Sequence, residues 1–540
     1  MKKSSRLYIL IIGFWISLLS VTVVPFWHEI YQSDHRGLAV ASLVTLSTLF
    51  VSYFWLNGTK DLIYVLFYYR RRGHFELPPN GYFRELNGST AKWRVAMVYC
   101  TYNDFNAESL EKSMHQDYPK HTVVILDDST DDAYKHEIDA FAQHYGVEVV
   151  RRDDHVGFKA GNLNNYLRKA DYDFFVILDS DEIVPSNFIT RSLDYFAYYP
   201  NAGIVQANHL ATRNRNHFMQ LFAIGVNSHW PTYQTAKHYY GFLSLLGHGA
   251  MVRRDCYFAA GGFPHLVAED LCMSIEARNK GLYTAFAPDI MCEEEYPIDY
   301  LAFKKRHSKW TQGNMEFIKR YTWRILRSSM TWYEKLDIIL FTYSLPLSAF
   351  FALYVIINVV VLPVLHYHIV YPLWMLAPTV VFLVSPMLND IIYHGPRIGT
   401  RRLVHYLAHS MLLYGSMLFI SLRSSIKSTF GRSVFIVTPK TKRDLTFRDA
   451  VLVNRGEIIF GISVLIIAII FDKTPLPTLL VAIPALLSVY LARLANEERK
   501  KSEQTLTTAK QLRRQQLPVA YSEHLGGVLS TGAVGRVKAS

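Results

Sequence analysis

The sequence is poor in cysteine and in charged residues for its length. Its 540 residues include 4 cysteines, and none of them forms a CxxC pair. Neither a cysteine zinc site nor a disulfide framework is indicated, so we expect reduced thiols that pack in the interior. Charged residues make up 19% of the chain and hydrophobic residues 50%. That balance is more apolar than is usual for a soluble protein of this length.

The charge that is present is mostly positive. Lys and Arg number 57 and Asp and Glu 45, which gives a formal net charge of +12 and a pI near 9.2. Such a balance suits nucleic acid, an anionic membrane surface or an anionic substrate. Because long apolar runs accompany it, we expect contact with membrane lipids and no nucleic-acid partner.

Two apolar runs precede a more polar middle section. A membrane span needs about 20 apolar residues, and residues 7–27 and 38–56 satisfy that need. No small-residue cleavage site follows the first run, which argues against a signal peptide. Arg70, Arg71 and Arg72 follow the second run, and positive charge marks the cytosolic side. We therefore expect the N-terminus and the middle section to be cytosolic.

The C-terminal part holds further apolar runs. Residues 338–394 allow two spans, and residues 456–472 and 475–494 allow two more. Residues 403–422 are apolar enough to span as well, but basic residues border them on both sides. We expect a helix on the membrane surface there. The prediction is thus about six spans, with both termini of the chain cytosolic.

The middle section has the pattern of an α/β domain. Short apolar runs such as Val95–Cys100 and Phe174–Leu178 alternate with amphipathic stretches, and acidic or Asn-rich turns follow several of them. This alternation predicts βαβ units and a mostly parallel sheet with helices on both faces. Ligands bind such sheets at the carboxyl ends of the strands.

Acidic residues stand at the ends of two predicted strands. Asp127 and Asp128 follow one strand, and Asp179 and Asp181 follow another. Residues i and i+2 of a strand point the same way, so Asp179 and Asp181 would face together. Such a pair suits Mg²⁺ or Mn²⁺, which take oxygen ligands and bind phosphates. The triplet is weak evidence alone, because acidic turns after strands are common.

Further polar residues extend this pattern. Lys159 lies in a glycine-containing segment and suits a phosphate. Glu269 and Asp270 follow a Gly-Gly-Phe turn, where a carboxylate is placed to act as a general base. The basic, aromatic run 299–335 predicts amphipathic helices on the membrane surface. It contains Trp310, whose aromatic face suits a sugar ring.

In this order the motifs resemble those of the processive family 2 glycosyltransferases, which include cellulose, chitin and hyaluronan synthases. The matching motifs are Thr101-Tyr102-Asn103, Asp127-Asp128, Lys159-Ala160-Gly161-Asn162, Asp179-Ser180-Asp181, Glu269-Asp270 and Phe435-Ile436-Val437-Thr438-Pro439-Lys440. The last motif is similar to the FxVTxK gating loop of cellulose synthases. The resemblance covers residues 95–325 by motif and implies a GT-A catalytic domain inserted in a helical membrane domain.

The resemblance implies a role for each matching residue on the donor side. Asp270 would be the general base, with Glu269 beside it. Asp181, with Asp179, would hold the Mg²⁺ or Mn²⁺ ion. Contacts to the nucleotide and its diphosphate would come from Thr101, Tyr102, Asp127, Asp128, Lys159, Asp179, Lys309, Thr438 and Lys440.

The acceptor end departs from the family pattern. Trp310 would stack on the acceptor sugar, but Arg306 and Lys309 replace the Gln and Arg of the family's Gln-x-x-Arg-Trp motif. Lys cannot make the forked contact that Arg makes to a diphosphate. His248 lies where cellulose synthases have Cys-Gly-Ser. It is either an acceptor contact or a buried structural histidine.

The implied reaction is inverting, processive transfer from a UDP-sugar, first of all UDP-glucose, into a β-linked glucan or capsule-type polysaccharide that leaves through the membrane. UDP-N-acetylglucosamine, a hyaluronan-type polymer and single transfer to a lipid carrier are alternatives. A non-enzymatic transporter or scaffold is another, and it would place ionisable residues inside its spans. Oligomeric state is not predicted.

These interpretations divide the chain into eight segments. The N-terminal half holds two membrane spans (1–60), a cytosolic linker (61–92) and the GT-A domain (93–298). The C-terminal half holds interfacial helices (299–335), two spans (336–394), an interfacial helix with the gating loop (395–455), two spans (456–494) and a partly disordered cytosolic tail (495–540).

Overall fold

A β-sheet organises the middle of the chain. The computed structural model describes residues 4–33, 37–72, 74–87, 92–211, 216–431, 445–472 and 478–494. Within these residues the strands are β1 (Val95–Thr101), β2 (His121–Asp127), β3 (Glu148–Arg151), β4 (Phe174–Asp179), β5 (Ala202–Ala211), β6 (Ala250–Arg253) and β7 (Tyr283–Glu294).

The sheet is mixed, with most strand pairs parallel. Its order is β3-β2-β1-β4-β6-β5-β7. β1 runs parallel to β2 and β4, β2 to β3, and β5 to β7, whereas β6 is antiparallel to both β4 and β5. The predicted, mostly parallel α/β sheet is confirmed. Neither β6 nor β7 was predicted from the sequence, and β6 has too few residues to show a period-two pattern.

Helices connect and flank the strands. In chain order they are α1 (Arg6–Ser33), α2 (Leu38–Arg71), α3 (Tyr82–Asn87), α4 (Ala107–Met114), α5 (Asp132–Tyr145), α6 (Phe158–Leu167), α7 (Phe188–Tyr198), α8 (His217–His229), α9 (Thr235–Tyr239), α10 (Arg254–Ala260), α11 (Glu269–Asn279), α12 (Tyr300–Leu326), α13 (Trp332–Thr342), α14 (Ser344–Ile356), α15 (Leu362–Val364), α16 (Leu376–Ile398), α17 (Thr400–Gly415), α18 (Leu418–Phe430), α19 (Phe447–Val453) and α20 (Arg455–Ile467).

Both faces of the sheet are covered by helices. Alternate residues of β1 enter opposite cores, because side chains alternate across a strand. Met97 packs with side chains of α4, α5 and α7, whereas Val98 packs with side chains of α6, α10 and α11. Burying one such side chain stabilises the fold by roughly 1.5–3 kcal/mol. Cys256, Cys272 and Cys292 are buried free thiols and Cys100 is partly buried, as expected.

The apolar helices only partly match the predicted spans. Among the described residues, 4 helices are long and apolar enough to cross a membrane, namely Arg6–His28, Leu38–Arg71, Leu373–Ile398 and Thr400–Phe430. The pair Phe447–Val453 and Arg455–Phe471, bent by 68°, raises the number to 5 if it counts as one span. The predicted six spans are therefore not confirmed, although a set of long apolar helices is.

Two differences account for the altered number. Ala349–Val364 and Thr478–Leu494 are shorter apolar helices, so they fall below the length of a full span. Conversely, the predicted surface helix 403–422 lies within Thr400–Phe430, which has the length and hydropathy of a span. Whether that segment crosses or lies on the membrane stays a prediction.

Helix α2 joins the N-terminal helices to the part of the chain that contains the sheet. It continues past residue 60 to Arg71, because Tyr64 and Val65 on its last turns are fully buried among other apolar side chains. The same cluster includes Tyr8 of α1 and Tyr240, which follows α9. Residues 61–71 thus extend the second apolar helix into the domain.

Candidate active site

The carboxyl ends of β1, β2 and β4 meet at one edge of the sheet. In the parallel register Thr101 pairs with Asp127, and Cys100 pairs with Asp179. Strand-end residues that are far apart in sequence are thereby placed side by side, as parallel pairing requires. Thr101, Asp127 and Asp179, all predicted to contact the donor, come together at this edge.

Two arginines pair with the acids that follow β2. Asp127 accepts a hydrogen bond from Arg151 Nε at 2.6 Å, and Asp127 and Arg151 are also register partners. Asp128 accepts two hydrogen bonds from Arg152, from Nε at 2.8 Å and from Nη2 at 2.6 Å. The sequence analysis missed both arginines. The sequence did contain a sign of these ion pairs. Two aspartates stand at the end of β2, and two arginines stand at the end of β3, its parallel neighbour.

Lys159 enters the site from the first turn of α6. Gly157, just before that helix, has a φ of 77°, which glycine adopts without strain. The Lys159 ammonium pairs with the Asp179 carboxylate and donates to the Gly247 carbonyl oxygen at 2.7 Å. Burial lowers the pKa of Lys159, but the charges of Asp179, Cys100 and Glu269 and the hydrogen bond to Asp179 together outweigh burial, and the pKa rises above its ordinary value. Lys159 therefore stays cationic.

A turn follows β4 and carries Asp181. The strand ends at Asp179, so strand alternation does not apply to Asp181, contrary to the argument from the sequence. Tyr99 donates to the Ser180 carbonyl at 2.7 Å, and the Ser180 hydroxyl donates to Asp104 at 2.6 Å. The turn is therefore held from β1. Asp179 and Asp181 are partly exposed oxygen donors, which suits Mg²⁺ or Mn²⁺.

Asp104 also organises the predicted nucleotide residues. Its carboxylate accepts from the Thr101 hydroxyl at 3.0 Å and from the Tyr102 backbone N–H at 2.8 Å. The Tyr102 ring is edge-on to His155, with the ring centres 6.2 Å apart. Thr101 is buried, whereas Tyr102 is exposed and faces solvent at the site's rim.

Glu269 and Asp270 form the first turn of α11. Burial raises the pKa of Glu269 to about 8, and the charge of Asp270 adds to the rise. Burial also raises the pKa of Asp270, while the Leu271 backbone N–H, 2.7 Å from its carboxylate, acts in the opposite direction. The positive charge of Lys159 lowers both pKa values, which places the two carboxyls within electrostatic reach of the lysine.

Helix α12 supplies the remaining predicted side chains. Burial lowers the pKa of Lys309 below its ordinary value, although the nearby charges of Glu269 and Asp179 act in the opposite direction. Arg306 lies over the Trp310 ring at 4.2 Å from its centre, and 42% of Trp310 is exposed. The structure thus brings Lys309 to the donor residues and leaves an aromatic surface beside them. Thr438 and Lys440 lie outside the described residues.

His248 lies in a buried ionic cluster. Its Nδ1 is 3.4 Å from Glu182 Oε1 and its Nε2 is 3.8 Å from Glu294 Oε1. Burial lowers the pKa of His248, but the charges of Glu294 and Glu182 outweigh burial and raise it to about 10. The sequence analysis missed both glutamates and did not see that Arg306 lies 3.7 Å from Glu294.

Several known proteins are similar to parts of this chain. Residues 174–386 match the profile described as Glycosyl transferase family group 2. A rice protein (Oryza sativa subsp. japonica) named probable glucomannan 4-beta-mannosyltransferase 6 is 23% identical over 353 residues. That alignment covers 62% of this chain and 60% of the rice protein, so the chain spans less than two thirds of its relative's length.

Two solved structures show a distant likeness. The mannosyltransferase PcManGT from Pyrobaculum calidifontis, in complex with GDP-Man and Mn²⁺, is 18% identical with a TM-score of 0.43 and covers 72% of this chain and 99% of its own. S. aureus TarS 1–349 with UDP-GlcNAc is 14% identical with a TM-score of 0.34 and covers 56% and 92%.

The matched region contains β4 to β7, the Glu269-Asp270 pair and helix α12. It therefore holds the acidic turn, both raised-pKa carboxyls and the aromatic surface of the candidate site. The matches support a glycosyltransferase, and the part of the chain that resembles family group 2 lies on the mixed α/β sheet described above.

Proposed function

We propose that this chain is a membrane-associated, inverting glycosyltransferase that uses a nucleotide diphosphate sugar. One observation carries the proposal. Lys159, Asp179, Glu269 and Lys309 come from four separate elements and lie within electrostatic reach of one another at the carboxyl edge of the sheet. Two lysine ammonium groups, which suit a diphosphate, therefore lie near a buried carboxyl pair with raised pKa values. Ionisable groups with shifted pKa values are typical of active sites, and glycosyl transfer from a nucleotide diphosphate sugar can use both kinds of group.

Asp270 is the proposed general base. Of two adjacent buried carboxyls, one keeps its proton because both cannot easily be charged. The Leu271 N–H stabilises the Asp270 carboxylate, whereas the pKa of Glu269 is about 8. We therefore assign the proton-accepting carboxylate to Asp270 and the protonated carboxyl of the pair to Glu269.

The proposed transfer is a single displacement at the anomeric carbon of the donor. The acceptor hydroxyl gives its proton to Asp270, and its oxygen bonds to the anomeric carbon as the bond to the diphosphate oxygen breaks. Lys159, released from Asp179, and Lys309 hold the departing diphosphate. A Mg²⁺ or Mn²⁺ ion bound by Asp181 and Asp179 would offset the charge on the diphosphate. Attack opposite the leaving group converts an α-linked donor into a β-linked product.

Glucose and mannose are the two leading candidates for the sugar that is transferred. The motif order favours UDP-glucose, and UDP-N-acetylglucosamine is the next UDP-sugar to test. The name of the rice relative favours a nucleotide-activated mannose. The apolar helices before and after the domain support processive synthesis with export. The arginines at 70–72, just after the second apolar run, support a cytosolic catalytic domain. Transfer of a single sugar to a lipid carrier is the alternative.

A nucleotide-release assay tests the proposal. Purified full-length protein is incubated with Mg²⁺ or Mn²⁺ and with UDP-glucose, UDP-N-acetylglucosamine, UDP-glucuronate, UDP-galactose or GDP-mannose. We expect turnover with one donor, loss on chelation and a fall of about 10²- to 10⁴-fold in Asp270→Asn. Asp171→Asn, on the exposed pair with Arg94, is the control. Full activity of Asp270→Asn would refute the base, and product size separates polymer from single transfer.

A further inference from the structure

A second cluster of ligand-type side chains lies behind the proposed donor site. We define it as the His–Glu cluster, formed by Glu182, His209 and His248. Glu182 follows the Asp181 turn, His209 lies on β5, and His248 precedes β6. The side chains of Glu182 and His209 are fully buried, and that of His248 is 13% exposed. Its residues play no part in the mechanism above.

The donor atoms of the cluster converge. Glu182 Oε1 lies 3.4 Å from His248 Nδ1 and 3.7 Å from His209 Nε2. All three ligand atoms lie within 4.8 Å of one another. A tetrahedral ion with bonds of about 2.0–2.1 Å holds its ligand atoms roughly 3.4 Å apart. The two spacings to Glu182 are thus within a few tenths of an ångström of that value, and the two imidazole nitrogens, within 4.8 Å of each other, would approach by up to about 1.4 Å on binding.

Two of these atoms lack other partners. Glu182 Oε1 and His248 Nδ1 are both buried and lie 3.4 Å from each other, and within the described part of the chain neither makes a hydrogen bond of good geometry. The second carboxylate oxygen of Glu182 is held by the Gly249 backbone N–H at 2.9 Å. The carboxylate is thus fixed with its free oxygen turned to the imidazoles. Buried polar atoms without partners are costly, which points to an absent ligand.

Gly249 leaves room beside these atoms. A Cβ added at this position would lie 2.3 Å from Glu182 Oε1 and 2.5 Å from His209 Nε2. Only a residue without a side chain keeps that space open. The Gln206 amide nitrogen lies 3.4 Å from His209 Nε2 and also donates a hydrogen bond to the His248 carbonyl oxygen at 2.9 Å. It would keep the bond to that carbonyl if His209 Nε2 bound a metal ion instead.

A second carboxylate supports the two histidines from outside. Glu294 Oε2 lies 3.1 Å from His209 Nδ1, and Glu294 Oε1 lies 3.8 Å from His248 Nε2. These are the ring nitrogens that do not face Glu182. Metal-bound histidines characteristically direct their other N–H at a carboxylate, which orients the ring. Tyr296 donates to Glu294 at 3.0 Å and holds it in place.

We propose that the His–Glu cluster binds a zinc-type divalent cation, separate from the Mg²⁺ or Mn²⁺ expected at Asp181. Two imidazoles and one carboxylate favour Zn²⁺ or Co²⁺, whereas Mg²⁺ and Mn²⁺ prefer oxygen ligands. Three protein ligands leave one position for a water or substrate oxygen. The ion cross-links the β4 turn, β5 and the loop whose Gly247 carbonyl holds Lys159.

Metal content tests the proposal without any assay of activity. Purified full-length protein is stripped with a chelator, loaded with excess ZnCl₂, desalted and analysed by mass spectrometry. We expect one zinc ion per chain in the wild type and in Asp181→Asn, and none in the double variant His209→Asn/His248→Asn. His238→Asn is the matched control, because His238 is another buried histidine, paired with the Phe286 N–H at 3.1 Å.

Two further measurements guard against a misfolded variant. Glu294→Gln keeps all three ligands and is expected to weaken zinc affinity about 10- to 100-fold. Co²⁺ bound in the site should show the absorption bands of tetrahedral coordination. It should also quench the fluorescence of Trp230, whose ring stacks on His209 with the ring centres 4.3 Å apart. The proposal is overturned if the wild type retains no zinc, or if the double variant retains as much. Loss of transferase activity alone would bear only on the proposed function.

Discussion

Arg152 and Asp128 form a two-point ion pair beneath the nucleotide end of the site. The Nε–Oδ1 distance is 2.8 Å and the Nη2–Oδ2 distance is 2.6 Å, with 8% of each side chain exposed. The same guanidinium donates to the carbonyls of Val156 and Phe158 at 2.7 and 2.9 Å. The pair therefore ties the end of β2 to the segment that leads into Lys159.

Asp128→Asn should destabilise the protein. It leaves the Arg152 guanidinium buried without its carboxylate, and breaking a buried pair costs about 3–5 kcal/mol. Thermal unfolding followed by tryptophan fluorescence should show a clearly lower midpoint. Asp171→Asn, on an exposed pair, should leave the midpoint unchanged. A normal midpoint combined with weak nucleotide binding would show that Asp128 serves the ligand and not the fold.

Lys159→Met should lower kcat/KM for the sugar nucleotide about 10- to 100-fold, because a charge-assisted contact to the diphosphate contributes about 1.5–3 kcal/mol. The lysine also holds the Gly247 carbonyl, so stability should be measured in parallel. Lys169→Met removes an exposed lysine just beyond α6 and serves as the control. Unchanged kcat/KM in Lys159→Met would remove this residue from the donor site.

The carboxyl pair should give the rate a characteristic pH dependence. Activity should fall as pH drops through the raised pKa of Asp270, because the base becomes protonated. Wild-type protein should show a second inflection near pH 8, where Glu269 ionises. Glu269→Gln should abolish that inflection and keep the acid limb, since the amide imitates protonated Glu269. Loss of the acid limb in Glu269→Gln would reverse the two assignments.

Stability should respond to the same carboxyl. The pKa of Glu269 rises from 4.5 to about 8 on folding, so the unfolded chain binds fewer protons than the folded chain between those values. The free energy of unfolding should therefore decrease as pH rises from about 5 to 8. Thermal midpoints across this range should decline less in Glu269→Gln than in wild type. An equal decline would mean that Glu269 does not cause it.

Asp337→Asn should loosen the joint between α2 and the catalytic part. The Asp337 carboxylate is 3.0 Å from Lys237 Nζ and accepts from Tyr64 at 3.2 Å and from the Phe242 N–H at 2.7 Å. Removing its charge takes the Asp337 carboxylate away from the buried Lys237 ammonium, and breaking a buried ion pair costs about 3–5 kcal/mol. Limited proteolysis and thermal unfolding should detect the change. Glu316→Gln, within the helix pair to Arg320, is the control.

Local patterns in the sequence predicted a large part of the domain. Short apolar runs that end in polar residues form β1, β2 and β4. The parallel register of these strands places Thr101, Asp127 and Asp179 at one edge of the sheet. The prediction succeeded because period-two burial and strand-end polarity are encoded within a few residues. It failed for Asp181, since a turn replaces the strand there and cancels the alternation.

The number of apolar spans was harder to predict. Hydropathy identified the apolar stretches, but helix ends and bends set their lengths. Phe447–Val453 and Arg455–Phe471 meet at 68°, and Ala349–Val364 is too short for a full span. Such breaks depend on which side chains pack against the helix, and a window of hydropathy contains no information about that packing.

The sequence by itself determined which residues are candidates for the site and in what order they follow one another. Lys159, the Asp179–Asp181 turn and the Glu269-Asp270 pair each stand in or beside a short recognisable motif. Only the tertiary structure decided which charges meet. Arg152 neutralises Asp128, and Glu182, His209 and His248 enclose one point although the chain separates them widely. The physical reason is that charge pairing in a low-dielectric interior acts through space over a few ångströms, whereas sequence patterns record only neighbours along the chain.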